Sequence, residues 1–190
     1  VTEYLASKNN VKNNSEVMLI RNDNLSVSPI TTHLDIKNIS KKLNSDLIIN
    51  KVDTIEFWFK KYFNKKPKIA MLGLNPHNAE LRNNSEERKV IIPSILMLKR
   101  KGVNITGPLV ADTLFIEDYK KYDVIVGMFH DQVITPFKTL FKFNAINVTL
   151  GLNYLRVSPD HGVAENLIGK NKANSTSLIN CINFVNKFDK

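Results

Sequence analysis

The sequence predicts an α/β protein with a mainly parallel sheet flanked by helices. Short apolar runs of strand length alternate along the chain with longer segments in which apolar residues recur at helical spacing. Strands separated by helices are typical of a parallel sheet with helices on its faces. The chain has 190 residues, 43% of them hydrophobic, which is enough to bury a sizeable core.

Five short runs are predicted to be strands. They are rich in apolar or β-branched residues and are bounded by turn residues, as expected of strands buried on both faces. These runs are 17–20, 26–31, 68–74, 123–129 and 145–151.

Three segments between and after the strands are predicted to be helices, because their apolar residues recur along one face. Asp53 and Glu56 are spaced like a capping box at the start of the first helix. Gly102 is a natural stop for the second helix, and Ser175 is placed as the N-cap of the third. The three predicted helices are 52–63, 86–101 and 175–188.

Composition narrows the class of protein and its partners. The net charge is +9, but the basic residues are scattered and only five of the 27 are arginine, so nucleic acid is not expected as a partner. No apolar run approaches the roughly 18 residues of a membrane helix, and no membrane association is expected. Cys181 is the only cysteine, which excludes a disulfide within the chain and fits a cytoplasmic location.

Three of the four histidines follow predicted strands. His33 comes after 26–31, His77 after 68–74 and His130 after 123–129. The carboxyl ends of parallel strands meet at one edge of a sheet, where ligands bind. Three imidazoles form a common catalytic metal shell, whereas a single histidine at a strand end is more often a hydrogen-bonded structural residue. The residues alone leave both interpretations open.

Charged residues near these histidines also have two interpretations. Asp131 either orients the imidazole of His130 or begins a helix, and Asp112 either serves the site or caps a loop. Lys138 and Arg156 lie in otherwise apolar segments, which suggests cations directed at an anionic ligand, although surface exposure is the usual state of both residue types.

Taken together, these segments resemble the 4-hydroxythreonine-4-phosphate dehydrogenase family of pyridoxal phosphate biosynthesis, in order and spacing over almost the whole chain. Such enzymes are similar in fold to isocitrate and isopropylmalate dehydrogenases. The matching segments are TTHLDI (31–36), LGLNPH (72–77), EE (86–87), GPLVADTLF (107–115), FHDQ (129–132), INVTLGL (146–152), LR (155–156) and SPDHG (158–162).

The resemblance implies a domain organisation. Family members extend beyond this N-terminus, so residues 1–190 are expected to be the C-terminal part of a two-domain α/β dehydrogenase. The sequence locates no domain boundary within this range.

The resemblance also implies a set of site residues. A divalent metal ion (zinc, cobalt or magnesium) is expected at a homodimer interface, with ligands from both subunits, and Asp112 and Asp131 are expected to act directly or by orienting its ligands. The implied metal ligands are His33, His77 and His130. The implied contacts of a small phosphorylated hydroxy acid substrate are Thr2, Lys138, Asn147 and Arg156. The segment 161–174 resembles the adenine-side loop of the related dehydrogenases, which implies contacts to NAD, or alternatively NADP, from His161, Gly162, Ala164 and Asn174.

The implied reaction is oxidation of the secondary alcohol of 4-phosphohydroxy-L-threonine by NAD, followed by decarboxylation. Two departures from the family pattern leave alternatives open. Val1 stands where the family has histidine, and NAELR (78–82) replaces a glycine-rich stretch. The alternatives are a related dehydrogenase for threonate or erythronate 4-phosphate, or a ligand-binding relative without catalysis.

Overall fold

The structure, a computed structural model, describes Tyr4, Ser7, Lys8 and residues 15–188. Thr2, one of the implied substrate contacts, lies outside the described residues. The strands are β1 (Val17–Arg21), β2 (Ser26–Thr31), β3 (Ile69–Leu72), β4 (Ile105–Leu109), β5 (Val124–Phe129), β6 (Ile146–Leu150) and β7 (Arg156–Pro159).

These strands form one sheet with the order β4-β3-β5-β2-β1-β6-β7. The first four strands in this order are mutually parallel, whereas β1, β6 and β7 join the sheet through antiparallel pairings. The predicted fold class is therefore confirmed. The three strands that are followed by histidines, β2, β3 and β5, all belong to the parallel part of the sheet.

Six α-helices accompany the sheet in the described ranges: α1 (Ile36–Lys42), α2 (Ser45–Phe63), α3 (Ile92–Arg100), α4 (Ala111–Leu114), α5 (His130–Phe141) and α6 (Thr176–Asn186). Short 3-10 turns lie at Pro76–Leu81, Asp118–Lys121 and Glu165–Leu167, and one π-helical turn lies at Glu87–Ile91. None of the helices in this part of the chain is both long and apolar enough to span a membrane.

The sheet separates two hydrophobic cores. On one face, aromatic residues of α2 and α6 pack together, with the rings of Trp58 and Phe184 stacked at 6.2 Å. On the other face, Val133 and Phe137 of α5 are fully buried against the strands. Both faces of the central strands are thus covered, which explains why their sequences are continuous apolar runs.

All five predicted strands are present, but the first predicted helix begins earlier than 52. It starts at Ser45, because the side chain of Asn44 accepts a hydrogen bond from the Leu47 backbone N–H at 2.9 Å and caps the helix there. The Asp53–Glu56 capping box is therefore wrong. Ser175 is at the N-cap position of α6, as predicted, but its side chain makes no capping hydrogen bond, and the side chain of Asn174 accepts from the Thr176 N–H instead.

Helix α5 begins immediately after β5, without a connecting loop. Its close approach to the strand depends on Gly127, because a Cβ at this position would lie 2.5 Å from Cγ1 of Val133. His130 consequently occupies both the end of the strand and the first turn of the helix. Its side chain is held at the sheet edge by two rigid elements.

Candidate active site

A row of histidine and aspartate residues lies along the carboxyl ends of the four parallel strands. In the spatial order β4, β3, β5, β2, the segments that follow the strands contribute Asp112, His77, His130 and His33. Adjacent strands are about 4.8 Å apart, so the sheet itself fixes the approximate spacing of these segments.

His33 and His130 lie next to each other. The strands that lead to them are in register, with Thr31 opposite Phe129, and the Thr31 hydroxyl donates to the Met128 carbonyl at 2.7 Å. The two imidazole centroids are 6.3 Å apart and their planes are inclined by 35°. Both side chains line an open cleft of about 310 Å³.

The orientation of the His130 ring is set by Asp131. The Asp131 carboxylate lies 2.7 Å from Nδ1 of His130, and an ionised carboxylate only accepts hydrogen bonds, so Nδ1 carries the proton. The neutral ring then keeps its lone pair on Nε2, the nitrogen that can bind a metal ion. Asp131 also lies in the first turn of α5, so both sequence-based interpretations of this residue describe its position.

His77 forms a separate pair with Asp112. Its Nε2 is 3.6 Å from a carboxylate oxygen of Asp112, and the two side chains are 73% and 64% exposed. Among the described residues, no three histidine, cysteine, aspartate or glutamate side chains lie close enough together to hold a metal ion. One chain therefore presents the three predicted metal ligands as the pair His33–His130 and a separate His77, rather than as a closed set.

The backbone of the loop that carries His77 is hydrogen-bonded to a fully buried glutamate, Glu87. Oε1 of Glu87 accepts hydrogen bonds from the backbone N–H groups of Leu74 at 2.9 Å and Asn75 at 2.8 Å, and the Asn75 amide donates to Oε2 at 3.1 Å. Burial raises the pKa of Glu87, but these hydrogen bonds outweigh it and the pKa is lowered overall. The neighbouring Glu86 accepts from Ser40 and Asn75, which lower its pKa as well.

Two amides connect the end of β3 to its neighbours. Gln132, in α5, donates through Nε2 to the Gly73 carbonyl and accepts through Oε1 from the Met128 N–H, both at 2.7 Å. Asn78 donates to the Pro108 carbonyl at 3.1 Å and lies so close to Gly73 that a Cβ there would be 2.0 Å from its Oδ1. The segment before His77 is thus tied to both flanking strands.

The implied substrate contacts in the described chain lie on the α5 side of the sheet. Arg156 donates to the Thr149 hydroxyl at 2.9 Å across the β6–β7 pairing. Asn147, two residues earlier and therefore on the same face of β6 as Thr149, has a buried Oδ1 with no hydrogen-bond partner in the described chain. Lys138 donates to the Asp160 carbonyl at 3.2 Å, with its Nζ 3.4 Å from a carboxylate oxygen of the same residue.

Asp160, the partner of Lys138, is a largely buried carboxylate at the end of this group. Its side chain is only 10% exposed, and it interacts electrostatically with Lys138, His130 and His161. Burial raises the pKa of this carboxyl, and Lys138 opposes the increase. One carboxylate oxygen is buried without a hydrogen-bond partner among the described residues. Asp160 therefore contacts one implied substrate residue, Lys138, and directly precedes His161 of the implied cofactor loop.

The implied cofactor contacts occupy an exposed loop after β7. Nδ1 of His161 lies 3.0 Å from the Gly162 carbonyl oxygen, and Ala164 adopts a left-handed conformation with φ of 51°. The Asn174 side chain accepts from the Thr176 N–H at the start of α6. The loop places His161 beside the carboxylate of Asp160 but leaves Asn174 engaged in capping a helix.

Comparison with known proteins decides the family. Residues 1–185 match the family model described as pyridoxal phosphate biosynthetic protein PdxA. The chain belongs to this family. The 4-hydroxythreonine-4-phosphate dehydrogenase of Sulfurihydrogenibium sp. (strain YO3AOP1) is 41% identical over 183 residues, which are 95% of this chain and 56% of that protein. The corresponding Aquifex aeolicus enzyme is 37% identical over 97% of this chain and 57% of its own length.

A solved structure of a PdxA-family protein agrees with the fold described above. The crystal structure of 4-hydroxythreonine-4-phosphate dehydrogenase from Klebsiella pneumoniae matches with a TM-score of 0.83 and 32% identity. The match covers 97% of this chain and 56% of that one. The chain thus spans about half the length of the relatives it matches, and the resemblance seen in its motifs is confirmed at the level of family and fold.

Sequence reasoning did not give roles to Glu87, Gln132 or Asp160, although all three lie within segments that resemble the family. A signal was present for two of them. Gln132 lies next to an apolar run, where an isolated amide must be satisfied by hydrogen bonds, whereas Glu87 lies in the charged run 86–89 and carries no such signal. Asp160 directly precedes His161, so it was expected to lie close to any ligand that the cofactor loop binds.

Proposed function

We propose that the full-length protein is a metal-dependent NAD oxidoreductase that oxidises and decarboxylates 4-phosphohydroxy-L-threonine in pyridoxal 5'-phosphate biosynthesis. The observation that supports this most directly is the row that Asp112, His77, His130 and His33 form along the carboxyl ends of four adjacent parallel strands. The segments that carry these residues are distant in sequence, and the sheet brings the three histidines implied as metal ligands to one edge. Membership of the PdxA family supplies the reaction class.

The chemistry of the donor set fits a divalent metal ion. His33 and His130 line one cleft, and Asp131 fixes the ring of His130 so that Nε2 keeps the lone pair. His77 lies beside Asp112 in a separate pair, so a second subunit would complete the set. We therefore include a homodimer with a shared site in the proposal. Imidazole ligands suit zinc or cobalt better than magnesium, which prefers oxygen ligands.

The anionic substrate would be held from the α5 side of the sheet. Lys138 and Arg156 supply two cations, and the buried, unpartnered amide oxygen of Asn147 supplies an acceptor for a substrate hydroxyl. Lys138 is already paired with Asp160, so the substrate phosphate would compete with an internal carboxylate for this ammonium group. Positioning by these residues directs the reacting carbinol toward the histidine row and the cofactor loop.

The cofactor loop fits the adenine side of a nicotinamide dinucleotide. Val163 and Ile168 expose 84% and 75% of their surface beside His161, which provides apolar contact for a planar ring. When bound, the metal ion acts as a Lewis acid on the substrate oxygen, and NAD accepts the hydride. Asp131 keeps the imidazole of His130 in the tautomer whose lone pair is on Nε2, and Asp160 pairs with the ammonium group of Lys138 until the substrate phosphate displaces it.

A second substrate class is favoured by the loop after His77. Residues 77–81 all have positive φ, between 49° and 57°, and none is glycine. Side chains replace the open glycine backbone of the family at this position, which narrows the space beside the histidine row. Because the loop departs from the family pattern here, threonate or erythronate 4-phosphate is kept as the alternative substrate, and a ligand-binding relative without catalysis is kept as the alternative to an enzyme.

The test is NADH formation by the full-length protein, first stripped of metal and then supplied with zinc, cobalt or magnesium. The three phosphorylated hydroxy acids are compared as substrates, and NADP is compared with NAD. We expect His77→Ala to abolish metal-dependent NADH formation, while Asn84→Ala, in the exposed part of the same loop, retains it. Full activity of His77→Ala, or activity without added metal, would refute the proposal.

A further inference from the structure

A second polar pocket lies at the opposite edge of the sheet from the histidine row. It has a volume of about 430 Å³ and is formed by the end of β1, the segment before β6 and the outer part of α6. Because β1 is antiparallel to β2, its last residue, Arg21, lies near the amino ends of the parallel strands. Arg21 also projects to the face that packs against α2 and α6, whereas Lys138 and Arg156 belong to the α5 side.

Arg21 is an unusual residue in this position because its charge is buried. Only 9% of its surface is exposed, and the guanidinium carbon lies 4.4 Å from the ring centroid of Phe63 and 5.1 Å from that of Phe184. Nη2 donates to the Asn22 carbonyl at 3.2 Å, but Nη1 is buried with no hydrogen-bond partner in the described chain. Burial lowers the pKa of Arg21 to about 10, and Asp23 opposes the decrease.

Leaving guanidinium donors without acceptors inside a protein is costly, and such groups are normally paired. The aromatic rings stabilise the flat faces of the guanidinium but accept none of its in-plane N–H groups. The missing partner is therefore an in-plane acceptor on the Nη1 side. An oxyanion supplies two or three such acceptor atoms and also compensates the buried charge.

The rest of the pocket is suited to an anion. The Asn180 amide donates to Oδ1 of Asn144 at 2.9 Å, which fixes both amides in the wall. Lys187 contributes an exposed ammonium group at the end of α6. Asp23 is the acidic residue of the lining, so two cations face one carboxylate.

We propose that this pocket binds a small oxyanion, a phosphate or a carboxylate group, with Arg21 as its principal ligand. Nη1 is buried, so anion binding requires the guanidinium to shift slightly toward the pocket while it stays in contact with the rings of Phe63 and Phe184. The pocket is larger than a phosphate ion, which leaves room for the organic part of a small metabolite. The site is separate from the proposed active site in both sheet edge and sheet face.

Phosphate and acetate are the probes, added to the full-length protein at constant ionic strength with chloride as the balancing salt. Calorimetric titration gives Kd, and the thermal unfolding midpoint reports the stabilisation by mass action. We expect saturable binding of at least one probe, weakened about tenfold or more by Arg21→Met and unchanged by Arg100→Met at the exposed end of α3. The tighter probe shows whether the pocket prefers a tetrahedral or a planar oxyanion.

Two exposed rim residues keep the test decisive if Arg21→Met does not fold. Lys187→Glu should weaken binding and Asp23→Asn should tighten it, in both cases by several fold. Lys138→Met controls for phosphate bound at the proposed active site and should leave this binding intact. Loss of binding in Lys138→Met but not in Arg21→Met, insensitivity to both rim changes, or no saturable binding of either probe overturns the proposal.

Discussion

Replacing Glu87 with glutamine tests whether this buried carboxylate positions the His77 loop. Its Oε1 accepts two backbone N–H groups, from Leu74 and Asn75, and its Oε2 accepts from the Asn75 amide. Hydrogen bonds to an ionised acceptor contribute about 1.5–3 kcal/mol each, against about 1 kcal/mol for a neutral pair. In Glu87→Gln the two backbone bonds become neutral, and the new NH₂ group faces the Asn75 donor, so one bond is lost.

Removing the charge also relieves the cost of burying it, which offsets part of this loss, so the expected loss of unfolding free energy is about 2–4 kcal/mol, measured by urea unfolding at pH 7. Glu117→Gln is the matched control, because it removes an exposed charge outside the His77 loop, and it should cost less than about 1 kcal/mol. Metal affinity of the full-length protein should fall in Glu87→Gln but not in the control, since the two backbone N–H groups belong to the segment that carries His77.

The pH dependence gives an independent check. Because the pKa of Glu87 is below its ordinary value of 4.5 in the folded state, its stabilising contribution is complete above pH 4.5 and is lost as the pH falls through the folded pKa. The stability difference between the wild type and Glu87→Gln should therefore shrink in that acidic range. Equal stability of the two proteins at pH 7, or a difference that grows on acidification, would show that the reasoning is wrong.

Three further outcomes are expected. Glu80→Gly should raise the unfolding free energy by about 1 kcal/mol, because Glu80 is exposed and has a φ of 50°, which glycine adopts without strain. Glu56→Gly, inside α2, should lower the unfolding free energy by a similar amount. A decrease for Glu80→Gly, or an increase for Glu56→Gly, would contradict a strained loop. Asp160→Asn should raise the unfolding free energy at pH 7, because burial raises the pKa of the wild-type carboxyl, and the gain should vanish as the pH falls through that raised pKa. The KM for the phosphorylated substrate should also fall as Lys138 is released, and an unchanged KM would argue against competition for this cation. Cys181 is buried and burial raises the pKa of its thiol to about 11, so a thiol reagent at pH 8 should label it rapidly only in urea; fast labelling of the native protein would place it at the surface.

The central strands and the edge they define could be predicted from the sequence because their apolar runs are continuous and end in turn residues. Two strands escaped this reasoning for a physical reason. β4 contains Gly107 and Pro108, and β7 is a four-residue edge strand ending in Pro159, so neither has an apolar run of strand length. Helix α5 was recognised only as an alternative, since Pro136 lies within it.

The candidate site shows a similar division. Strand order cannot be derived from local pattern, yet it is the order β4-β3-β5-β2 that places Asp112, His77, His130 and His33 in one row. Buried hydrogen-bond partners such as Glu87 depend on contacts across 12 or 13 residues and have no periodic signature. The residues that could be predicted are those that follow strands, and those that could not are the ones that hold the loops in place.

Gln132 links the ends of β3 and β5 in a way that only a carboxamide side chain allows. Its two amide atoms serve opposite purposes, since Nε2 donates to the carbonyl of Gly73 and Oε1 accepts from the N–H of Met128. Glutamate has the same shape but, when ionised, presents only acceptors and would repel the carbonyl, while leucine would leave both backbone groups unsatisfied. One carboxamide thus connects two strand ends, of which one offers a backbone carbonyl and the other a backbone N–H. The spacing of the His77 and His130 segments is therefore fixed by the two hydrogen bonds of Gln132 as well as by the backbone pairing of β3 with β5.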